Sequence, residues 1–331
     1  MLTMTPEAIT ELVTGALMRS RTSKENAASV ARALLAAELA GQNGHGLRRV
    51  EAYAAQARTG KVDGFAVPKA ETTRPGALAI DAGNGFAYPA MDLALDWLPG
   101  AAQTQGIAIA GIRRSHHCGV AGVIVEALAE RGVAALMLAN SPAAMAPWGG
   151  RRPLFGTDPI AFAAPLGGGA PVVVDVSLSK VARGKIMAAG QKGEPIPEGW
   201  ALDADGQPTT DAKAALAGTM IPLGDAKGTA LALMVELLCA GLTGANYAWQ
   251  ATSFFDGEGD PPGTGQAIIA IDPDAFGPGG EERMKLMADM VAGTEGARLP
   301  GRRRQQIRAD YLENGIPVDA GLAASIRAIG T

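Results

Sequence analysis

The stretch IAIAGIRRSHHCGVAGVIVEALAERGVAALML, residues 107–138, decides the fold class of this chain. It opens on a short apolar run at 107–112 and closes on a second at 133–138. Between them, residues 121–131 have the spacing of a helix that ends at Gly132. Apolar runs of this length with little polar alternation are typical of strands buried on both faces. The stretch therefore predicts strand, helix and strand in succession, the unit of a layered α/β fold.

Further apolar runs extend this pattern along the chain. Residues 77–80, 172–176 and 267–271 predict strands of the same buried type. Residues 229–242 predict a helix that ends near Gly244. Strands that alternate with helices favour an α/β sheet in the middle of the chain.

The two ends of the chain differ from this middle part. Thr5 and Ser23 stand where helix caps are expected, so the beginning of the chain is predicted to be helical. The tail is charge-rich and again helical in its spacing. We therefore predict three parts: an N-terminal helical part at 1–75, an α/β core at 76–280 and a C-terminal helical part at 281–331 that packs with the N-terminal part.

Composition excludes several classes of function. The 331 residues include 29 Lys and Arg against 33 Asp and Glu, a net charge of −4, so no global basic field attracts nucleic acid or an anionic membrane. The only cysteines, Cys118 and Cys239, are too few for a disulfide framework. Residues 1–12 lack the basic and apolar regions of a signal peptide. These features predict a soluble cytoplasmic protein without nucleic-acid or membrane partners.

The common nucleotide-binding and catalytic motifs are missing. The chain has no GxGxxG after a predicted strand and no GxxxxGK[ST], and it has neither GxSxG nor HExxH. A nucleotide cofactor would therefore need a fold other than the ordinary Rossmann domain.

His45, Arg49 and Tyr53 are spaced four residues apart, so in a helical turn they would project to one side. An imidazole that exchanges a proton and a guanidinium that grips a carboxylate suit a 2-oxo or 2-hydroxy acid. An ordinary solvated helix face has the same spacing. The sequence alone leaves both interpretations open.

Residues 115–119, SHHCG, follow a predicted strand and precede a predicted helix. This is the end of a strand at which α/β proteins usually bind ligands. The pair His116 and His117 has no third metal ligand nearby in the sequence, so we predict no metal site, and packed or capping histidines are the plain alternative. Cys118 is predicted to be a small buried residue.

Polar turns close several other predicted strands. They contain Asn140 and Ser141, then Thr157, and then Asp175 and Ser177. Such turns offer the hydroxyl, amide and backbone N–H groups that bind ribose and phosphate. Lys227 and residues 302–304, RRR, can hold phosphate or carboxylate, although exposed positive side chains are the commoner explanation.

Taken together, the ordered blocks of the chain resemble the type-2 malate/L-lactate dehydrogenase family, which includes malate, sulfolactate, ureidoglycolate and diketogulonate oxidoreductases and the cyclic-ketimine reductases. The resemblance covers nearly the whole chain and is nearest to sulfolactate dehydrogenase-like members. It rests on HGLRR (45–49), SHHCG (115–119), APWGGRRPLFGTDPIAFAAP (146–165), VVDVSLSKVARGKI (173–186), IPEGWALDADGQPTTD (196–211), LGDAKGTALALMVELLCAGLTGA (223–245), GQAIIAIDP (265–273) and RLPG (298–301).

The resemblance implies a fold, a cofactor and an assembly. The fold is a non-Rossmann, mixed-sheet α/β domain that binds NAD or NADP, with helical N- and C-terminal parts. The protein is expected to form a homodimer with its active site at the subunit interface. The N-terminal part would serve the substrate and the dimer contact, and the substrate would be a small anionic 2-oxo or 2-hydroxy acid.

The resemblance also assigns roles to residues of this chain. His45 is similar to the proton donor and acceptor, Arg49 to the carboxylate ligand, and His117 to a cofactor or substrate contact that serves as the base in some members. Substrate contacts are expected at Arg49, Tyr53, Arg48 and Ser141. Cofactor contacts are expected at His117, Cys118, Gly119, Asn140, Thr157, Asp175, Val176, Ser177, Arg183, Gly184, Lys227, Gly301, Arg302 and Arg304.

Three positions depart from the family pattern. Gly44 stands where the family usually has Ser, and Lys185 stands where the cyclic-ketimine reductases have Asp, so both members of their proton relay are missing. Arg302 replaces the usual Glu and favours NADP or a doubly anionic substrate. We therefore expect a 2-hydroxy-acid dehydrogenase of the malate, lactate or 3-sulfolactate type. Arg48 and the pair Arg113 and Arg114 would add positive potential for a second anionic group.

Two alternatives stay open from the sequence. One is an NADPH-dependent pyrroline- or piperideine-2-carboxylate reductase, which applies the same hydride chemistry to a C=N bond. The other is a ligand-binding relative without catalytic activity, although the presence of both His45 and Arg49 argues against it.

Overall fold

The computed structural model describes all residues, 1–331. The strands are β1 (Leu2–Met4), β2 (Lys69–Arg74), β3 (Ala77–Asp81), β4 (Ile107–Ser115), β5 (Ala134–Ala139), β6 (Ile160–Ala164), β7 (Val172–Val176), β8 (Ala201–Leu202), β9 (Pro208–Thr209), β10 (Thr219–Met220), β11 (Thr264–Ile271) and β12 (Ile316–Val318). The helices are α1 (Pro6–Met18), α2 (Lys24–Leu39), α3 (Val50–Thr59), α4 (Ala87–Gln105), α5 (Ala121–Ala129), α6 (Arg183–Lys192), α7 (Ala212–Ala217), α8 (Ala226–Glu236), α9 (Gly280–Ala292), α10 (Arg302–Asn314) and α11 (Ala320–Ala328).

A seven-stranded mixed sheet with the order β2-β3-β4-β11-β5-β6-β7 forms the centre of the fold. Only β3 and β4 run parallel, and every other pair of neighbours is antiparallel. A doubly wound Rossmann sheet is mostly parallel. The mixed-sheet, non-Rossmann α/β fold expected from the sequence is therefore confirmed.

Both faces of the central sheet are covered. Met137 of β5 lies in the larger apolar core, which α4 and α5 share with the N-terminal helices. Its neighbour Leu138 lies in a smaller core with Val235 of α8. Because successive side chains of a strand point to opposite faces, two cores require a strand that is apolar without alternation. This explains the continuous apolar runs in the sequence.

The N- and C-terminal parts pack together, since β1 pairs with β12 in a small antiparallel sheet. The predicted caps form: the side chain of Thr5 accepts a hydrogen bond from the N–H of Ala8, and that of Ser23 accepts one from Asn26. The division of the chain into three domains stays a prediction. No helix combines the length and the apolar character needed to cross a membrane.

Several elements were not predicted from the sequence. Strand β2 is exposed along its whole length, so it carries no apolar pattern. The small sheet of β8, β9 and β10 has two-residue strands, too short for any periodicity. The five predicted central strands and the helices α5 and α8 are confirmed, with α8 continuing into a π-helical turn at Leu237–Gly241.

Candidate active site

The polar turns lie along one edge of the central sheet, the edge formed by the ends of its strands. Ser115 at the end of β4 pairs with Thr264 at the start of β11. Ile160 at the start of β6 pairs with Val176 at the end of β7. Because these neighbours are antiparallel, the end of one strand and the start of the next lie side by side. The turns after β4, β5 and β7 therefore lie along the same edge.

Residues 41–49 form a tight corner rather than the helical turn assumed from the spacing of His45 and Arg49. Two 3₁₀ turns, Asn43–His45 and Leu47–Arg49, meet at Gly46. A Cβ atom at Gly46 would collide with the carboxylate of Glu38. That carboxylate accepts a hydrogen bond from the N–H of Leu47 at 2.7 Å, so it fixes the corner that presents His45.

His45 and His117 lie in direct contact. Nδ1 of His45 is 3.0 Å from Nε2 of His117, and the two rings stack with an angle of 14° between their planes. The other nitrogen of His117, Nδ1, is 2.5 Å from the hydroxyl oxygen of Tyr53. Nε2 of His45 has no partner within the chain, so it is the nitrogen that can meet a substrate.

Burial keeps these imidazoles neutral. Desolvation, with a smaller contribution from the positive charge of Arg49, lowers the pKa of His45 to about 4. The same two causes hold the pKa of His117 well below its usual value. At neutral pH both rings therefore carry one proton each, and one ring nitrogen of each can accept a hydrogen bond.

His116 has a structural position. Its Nε2 is 2.5 Å from Oε1 of Gln56, whose Nε2 donates to the carbonyl oxygen of Phe254 at 2.8 Å. Burial, together with the charges of Arg49 and Lys61, lowers the pKa of His116 to about 3. His117 therefore belongs to the hydrogen-bond network of His45, whereas His116 belongs to that of Gln56. No three His, Cys, Asp or Glu side chains come together in a metal-binding group.

Arg49 lies beside His45 and His117, and part of its guanidinium has no hydrogen-bond partner in the protein. Its Nε donates to the carbonyl oxygen of Gly44 at 2.8 Å, and its Cζ lies 4.6 Å from the centre of the Phe255 ring. Nη1 is buried and has no hydrogen-bond partner. A buried, unpartnered cationic donor is costly unless an anion binds it, so Arg49 fits a carboxylate ligand.

Tyr53 and Arg48 differ from the positions expected of substrate contacts. Tyr53 is completely buried, and its hydroxyl lies between His117 and the hydroxyl of Tyr88, at 3.0 Å from the latter. It can therefore reach a substrate only through His117, which corrects the direct contact expected of it. Arg48 is exposed, and the charge that it contributes acts on Glu38. A role for Arg48 in substrate binding stays a prediction.

Two of the expected cofactor contacts are turned inward. The amide of Asn140 is fully used: Nδ2 donates to Glu236 and to the carbonyl oxygen of Asn246, and Oδ1 accepts from the N–H of Gly265. The thiol of Cys118 is buried, and the residue lines a cavity between α2, α4 and α5. Neither side chain is free to contact a cofactor, and contacts through the backbone of Asn140 and Cys118 stay predictions.

Other expected contacts are available along the edge. The hydroxyl of Ser141 accepts from the N–H of Thr157 at 3.1 Å, and this bond joins the turns after β5 and before β6. Gly119 adjoins Tyr88 with a positive φ. The remaining members of the set are partly or fully exposed, namely Val176, Ser177, Arg183, Gly184, Lys227, Gly301 and Arg302. Their contacts with a cofactor stay predictions.

Several of the arginines expected to bind anions form ion pairs within the chain. Arg304 lies 3.3 Å from Oδ2 of Asp175 and 3.7 Å from Oε2 of Glu126. Arg113 and Arg114 both pair with Asp81, at 3.3 and 2.7 Å. The single carboxylate of Asp81 cannot neutralise both guanidinium groups, so their expected contribution to a second anion site stays a prediction.

Three aromatic side chains of the site were not predicted from the sequence. Phe254 packs against the rings of His116 and His117, and Phe255 packs against Arg49. Adjacent phenylalanines in a chain with only seven are a signal that could have drawn attention to this loop. Tyr88 gave no such signal, since it lies among apolar residues of α4.

Asp158 follows Thr157 in the turn before β6. It is completely buried, and neither of its carboxylate oxygens has a partner. Burial and the nearby charge of Glu236 hold the pKa of Asp158 well above its usual value, and burial raises the pKa of Glu236 to about 7. Asp158 and Glu236 lie beneath the turns at the strand ends. Glu236 also accepts a hydrogen bond from the N–H of Ala248 at 3.0 Å.

Two neutral imidazoles in contact beside an unpartnered guanidinium, on a mixed-sheet α/β domain, suit proton exchange with a small carboxylic acid. The family model "Malate/L-lactate dehydrogenase" matches residues 4–327. The chain belongs to this family.

Individual relatives agree with this assignment. The chain is 50% identical over 284 residues to (2R)-3-sulfolactate dehydrogenase (NADP(+)) of Chromohalobacter salexigens, covering 86% of this chain and 85% of the relative. It is 41% identical over 303 residues to a pyrroline-2-carboxylate/piperideine-2-carboxylate reductase of Pseudomonas syringae pv. tomato, covering 90% and 87%.

Solved structures show the same fold. The crystal structure of piperideine-2-carboxylate reductase from P. syringae superposes with a TM-score of 0.94 at 37% identity, covering 99% of this chain and 100% of that one. Sulfolactate dehydrogenase from Methanocaldococcus jannaschii superposes with a TM-score of 0.89 at 29% identity, covering 99% and 96%.

Proposed function

We propose that this protein is an NADP-dependent dehydrogenase of a 2-hydroxy acid with a second anionic group, of the 3-sulfolactate type. The observation that carries the proposal is the contact of His45 with His117 beside the unpartnered Nη1 of Arg49. When bound, the nicotinamide ring supplies or accepts the hydride. Arg49 binds the carboxylate, which holds the reacting carbon in place, and Nε2 of His45 takes up the hydroxyl proton during oxidation.

The residues along the sheet edge fit a dinucleotide phosphate. Arg183 is partly buried, which lowers the pKa of its guanidinium, and it forms no ion pair within the chain. A cavity of about 510 Å³ adjoins the beginning of α10 and is lined by Arg298, Arg302 and Arg303. Three arginines without internal carboxylate partners favour the additional phosphate of NADP over the ribose hydroxyl of NAD.

Both the named relatives and the residues at positions 44 and 185 bear on the identity of the substrate. The relative with 50% identity is named a sulfolactate dehydrogenase, which supports a doubly anionic acid. The second candidate, a cyclic-ketimine reductase, is supported by relatives at about 40% identity. Gly44 and Lys185 replace the relay residues of those reductases, so we place the dehydrogenase first.

A substrate panel separates the two candidates. Reduction of 3-sulfopyruvate, oxaloacetate, pyruvate and pyrroline-2-carboxylate is followed with NADPH and with NADH. The proposal expects the largest kcat/KM for 3-sulfopyruvate with NADPH. A larger value for pyrroline-2-carboxylate would establish the ketimine reductase instead, and cofactor binding without turnover of any acid would indicate a non-catalytic relative.

The Arg302→Ala variant tests the cofactor assignment. Removal of a charge-assisted contact to phosphate is expected to raise KM for NADPH by ~10–100-fold, because such a bond contributes about 1.5–3 kcal/mol. KM for NADH should change by less than about threefold, since NADH carries no phosphate at this position. Arg308→Ala, on the same helix, is the control. Equal changes for both cofactors would contradict the assignment.

A homodimer is supported by an apolar surface on α8 and the turn that follows it. Leu233, Leu237 and Leu242 are each about half exposed or more, and Trp249 adds to the same region of the chain. Large exposed apolar patches on a folded protein usually mark association sites. The same helix begins beside Lys227, an expected cofactor contact, so pairing through it would place the site near the interface.

Leu237→Glu tests this interface. A charge at the centre of an apolar contact is expected to convert the dimer to a monomer at micromolar concentration, which analytical ultracentrifugation measures. Leu312→Glu places the same charge at a similarly exposed leucine of α10 and should leave the dimer intact. If both variants were monomeric, or both were dimeric, the results would contradict a dimer interface on α8.

The cytoplasmic location stays a prediction from the sequence. Both cysteines are free and buried, as expected for a protein of a reducing compartment.

A further inference from the structure

A continuous row of four hydrogen-bonding groups leads from the candidate site to the opposite side of α3. From His45 it passes to His117 at 3.0 Å, then to the hydroxyl of Tyr53 at 2.5 Å. From Tyr53 it passes to the hydroxyl of Tyr88 at 3.0 Å. The two tyrosines are buried, and Tyr53 is the only hydrogen-bond partner of Tyr88 within the chain.

The row ends at a cavity rather than in the core. Tyr88 and Cys118 line a cavity of about 170 Å³ between α2, α4 and α5. A cavity of this size has room for several water molecules, given about 30 Å³ for each in the liquid, and Ser29, Arg32 and Asp92 are the polar partners in its otherwise mostly apolar lining. Asp92 also lines it and accepts hydrogen bonds from Ser29 at 2.7 Å and from Arg32 at 2.8 Å. The lining of the cavity therefore includes a partly exposed carboxylate.

We propose that Tyr53 and Tyr88 conduct the proton of the reaction between His45 and the water of this cavity. The inference rests on the proposed function. It gives the reacting proton an exit towards the cavity between α2, α4 and α5, at a time when substrate and cofactor would cover Nε2 of His45 and exclude water.

The transfer leaves every member of the row neutral, and the one proton that oxidation releases ends on water and passes from there to solvent. During oxidation, Nε2 of His45 gains the hydroxyl proton of the substrate while its Nδ1 gives a proton to Nε2 of His117. His117 passes the proton on its Nδ1 to the Tyr53 hydroxyl, which passes its own to Tyr88. Tyr88 gives its proton to a water molecule of the cavity. Reduction runs the same steps in reverse, so no oxidant or reductant beyond the reaction itself is needed.

The environment of the row favours such a concerted transfer over ionisation of any one member. Burial lowers the pKa of both histidines, and it raises the pKa of Tyr88 well above its usual value. An imidazolium at His45 or a phenolate at Tyr88 is therefore disfavoured at neutral pH. A row in which each member gains a proton as it gives one away avoids both charges.

The test is a single-turnover oxidation of the preferred 2-hydroxy acid by the full-length protein in weak buffer. Absorbance at 340 nm follows NADPH formation, and a pH-indicator dye follows proton release. In the wild type we expect the two signals to rise together. Tyr88→Phe removes only the terminal hydroxyl, so the proton stays on the row as a disfavoured charge until it finds another exit. NADPH formation should therefore slow, and proton release should lag behind it by about tenfold or more.

Three comparisons separate a proton path from a structural role. Tyr311→Phe removes a half-buried hydroxyl elsewhere and should release protons without a lag. Ala127→Leu narrows the cavity without changing the row and should reproduce the lag. In free protein labelled with carbon-13 at the tyrosine Cζ, hydroxyl exchange of Tyr53 with solvent should be slower in Tyr88→Phe than in the wild type.

The outcomes distinguish the inference from the function on which it rests. If wild-type protein oxidises the acid and Tyr88→Phe releases its proton without a lag and exchanges Tyr53 at the wild-type rate, the path is wrong and the function stands. If the wild type oxidises no 2-hydroxy acid, the function fails, and unchanged hydroxyl exchange in Tyr88→Phe overturns the path as well.

Discussion

Replacement of His45 by alanine is expected to lower turnover by ~10²–10⁴-fold, the usual contribution of a positioned general acid or base. Binding of NADPH should change little, because His45 contacts His117 rather than the arginines assigned to the phosphates. Stopped-flow absorbance measures the rate of hydride transfer, and fluorescence titration measures the NADPH dissociation constant. If His45→Ala lost hydride-transfer rate and NADPH binding in equal proportion, the result would indicate a folding defect rather than the loss of a general base.

The competing assignment makes His117 the base. His45→Gly distinguishes the two, because added imidazole can occupy the vacated space and restore a proton acceptor next to the substrate. We expect imidazole to raise the rate of His45→Gly and to leave that of His117→Gly unchanged, since the position of His117 is enclosed. Wild-type turnover in His45→Ala together with a large loss in His117→Ala would transfer the role to His117.

Replacement of Arg49 by methionine is expected to reduce kcat/KM by ~10²–10⁴-fold, mostly through KM. The estimate follows from two charge-assisted hydrogen bonds to a carboxylate at about 1.5–3 kcal/mol each. Arg49→Lys keeps the charge but loses the planar fork, so an intermediate loss is expected. The control is Arg74→Met, which removes the same charge from the exposed strand β2. Equal losses in Arg49→Met and Arg74→Met would contradict a specific role for Arg49.

The same variant has a predicted pH signature. The charge of Arg49 lowers the pKa of His45, after the larger effect of burial. Oxidation needs neutral His45, so the wild-type rate should be level at neutral pH and fall as the pH is lowered towards about 4. Without the positive charge, protonated His45 is less disfavoured. The acid limb of Arg49→Met should therefore lie at higher pH than that of the wild type.

The sequence predicted the buried central strands because two covered faces leave a continuous apolar run, as at Met137 and Leu138. It could not predict β2, whose exposed residues are held only by pairing with β3. The alternation of strand direction across the sheet was also beyond local pattern, since it depends on how β11 inserts between β4 and β5.

The candidate site was predicted in part for a similar reason. His45, Arg49 and His117 stand in glycine-rich segments, and their chemistry identifies them. The contact between His45 and His117 joins residues 72 positions apart, so spacing along the chain cannot reveal it. Asn140 and Arg304 have side chains suited to a cofactor, and only the fold shows that they are bonded to Glu236 and to Asp175.

The central claim is that the substrate binds with its carboxylate on Arg49 and its hydroxyl on His45. A crystal structure of the protein with NADP and 3-sulfolactate tests it most directly. The account predicts a carboxylate oxygen within hydrogen-bond distance of Nη1 of Arg49 and the 2-hydroxyl within hydrogen-bond distance of Nε2 of His45. A substrate bound with both side chains turned away from it would contradict the account.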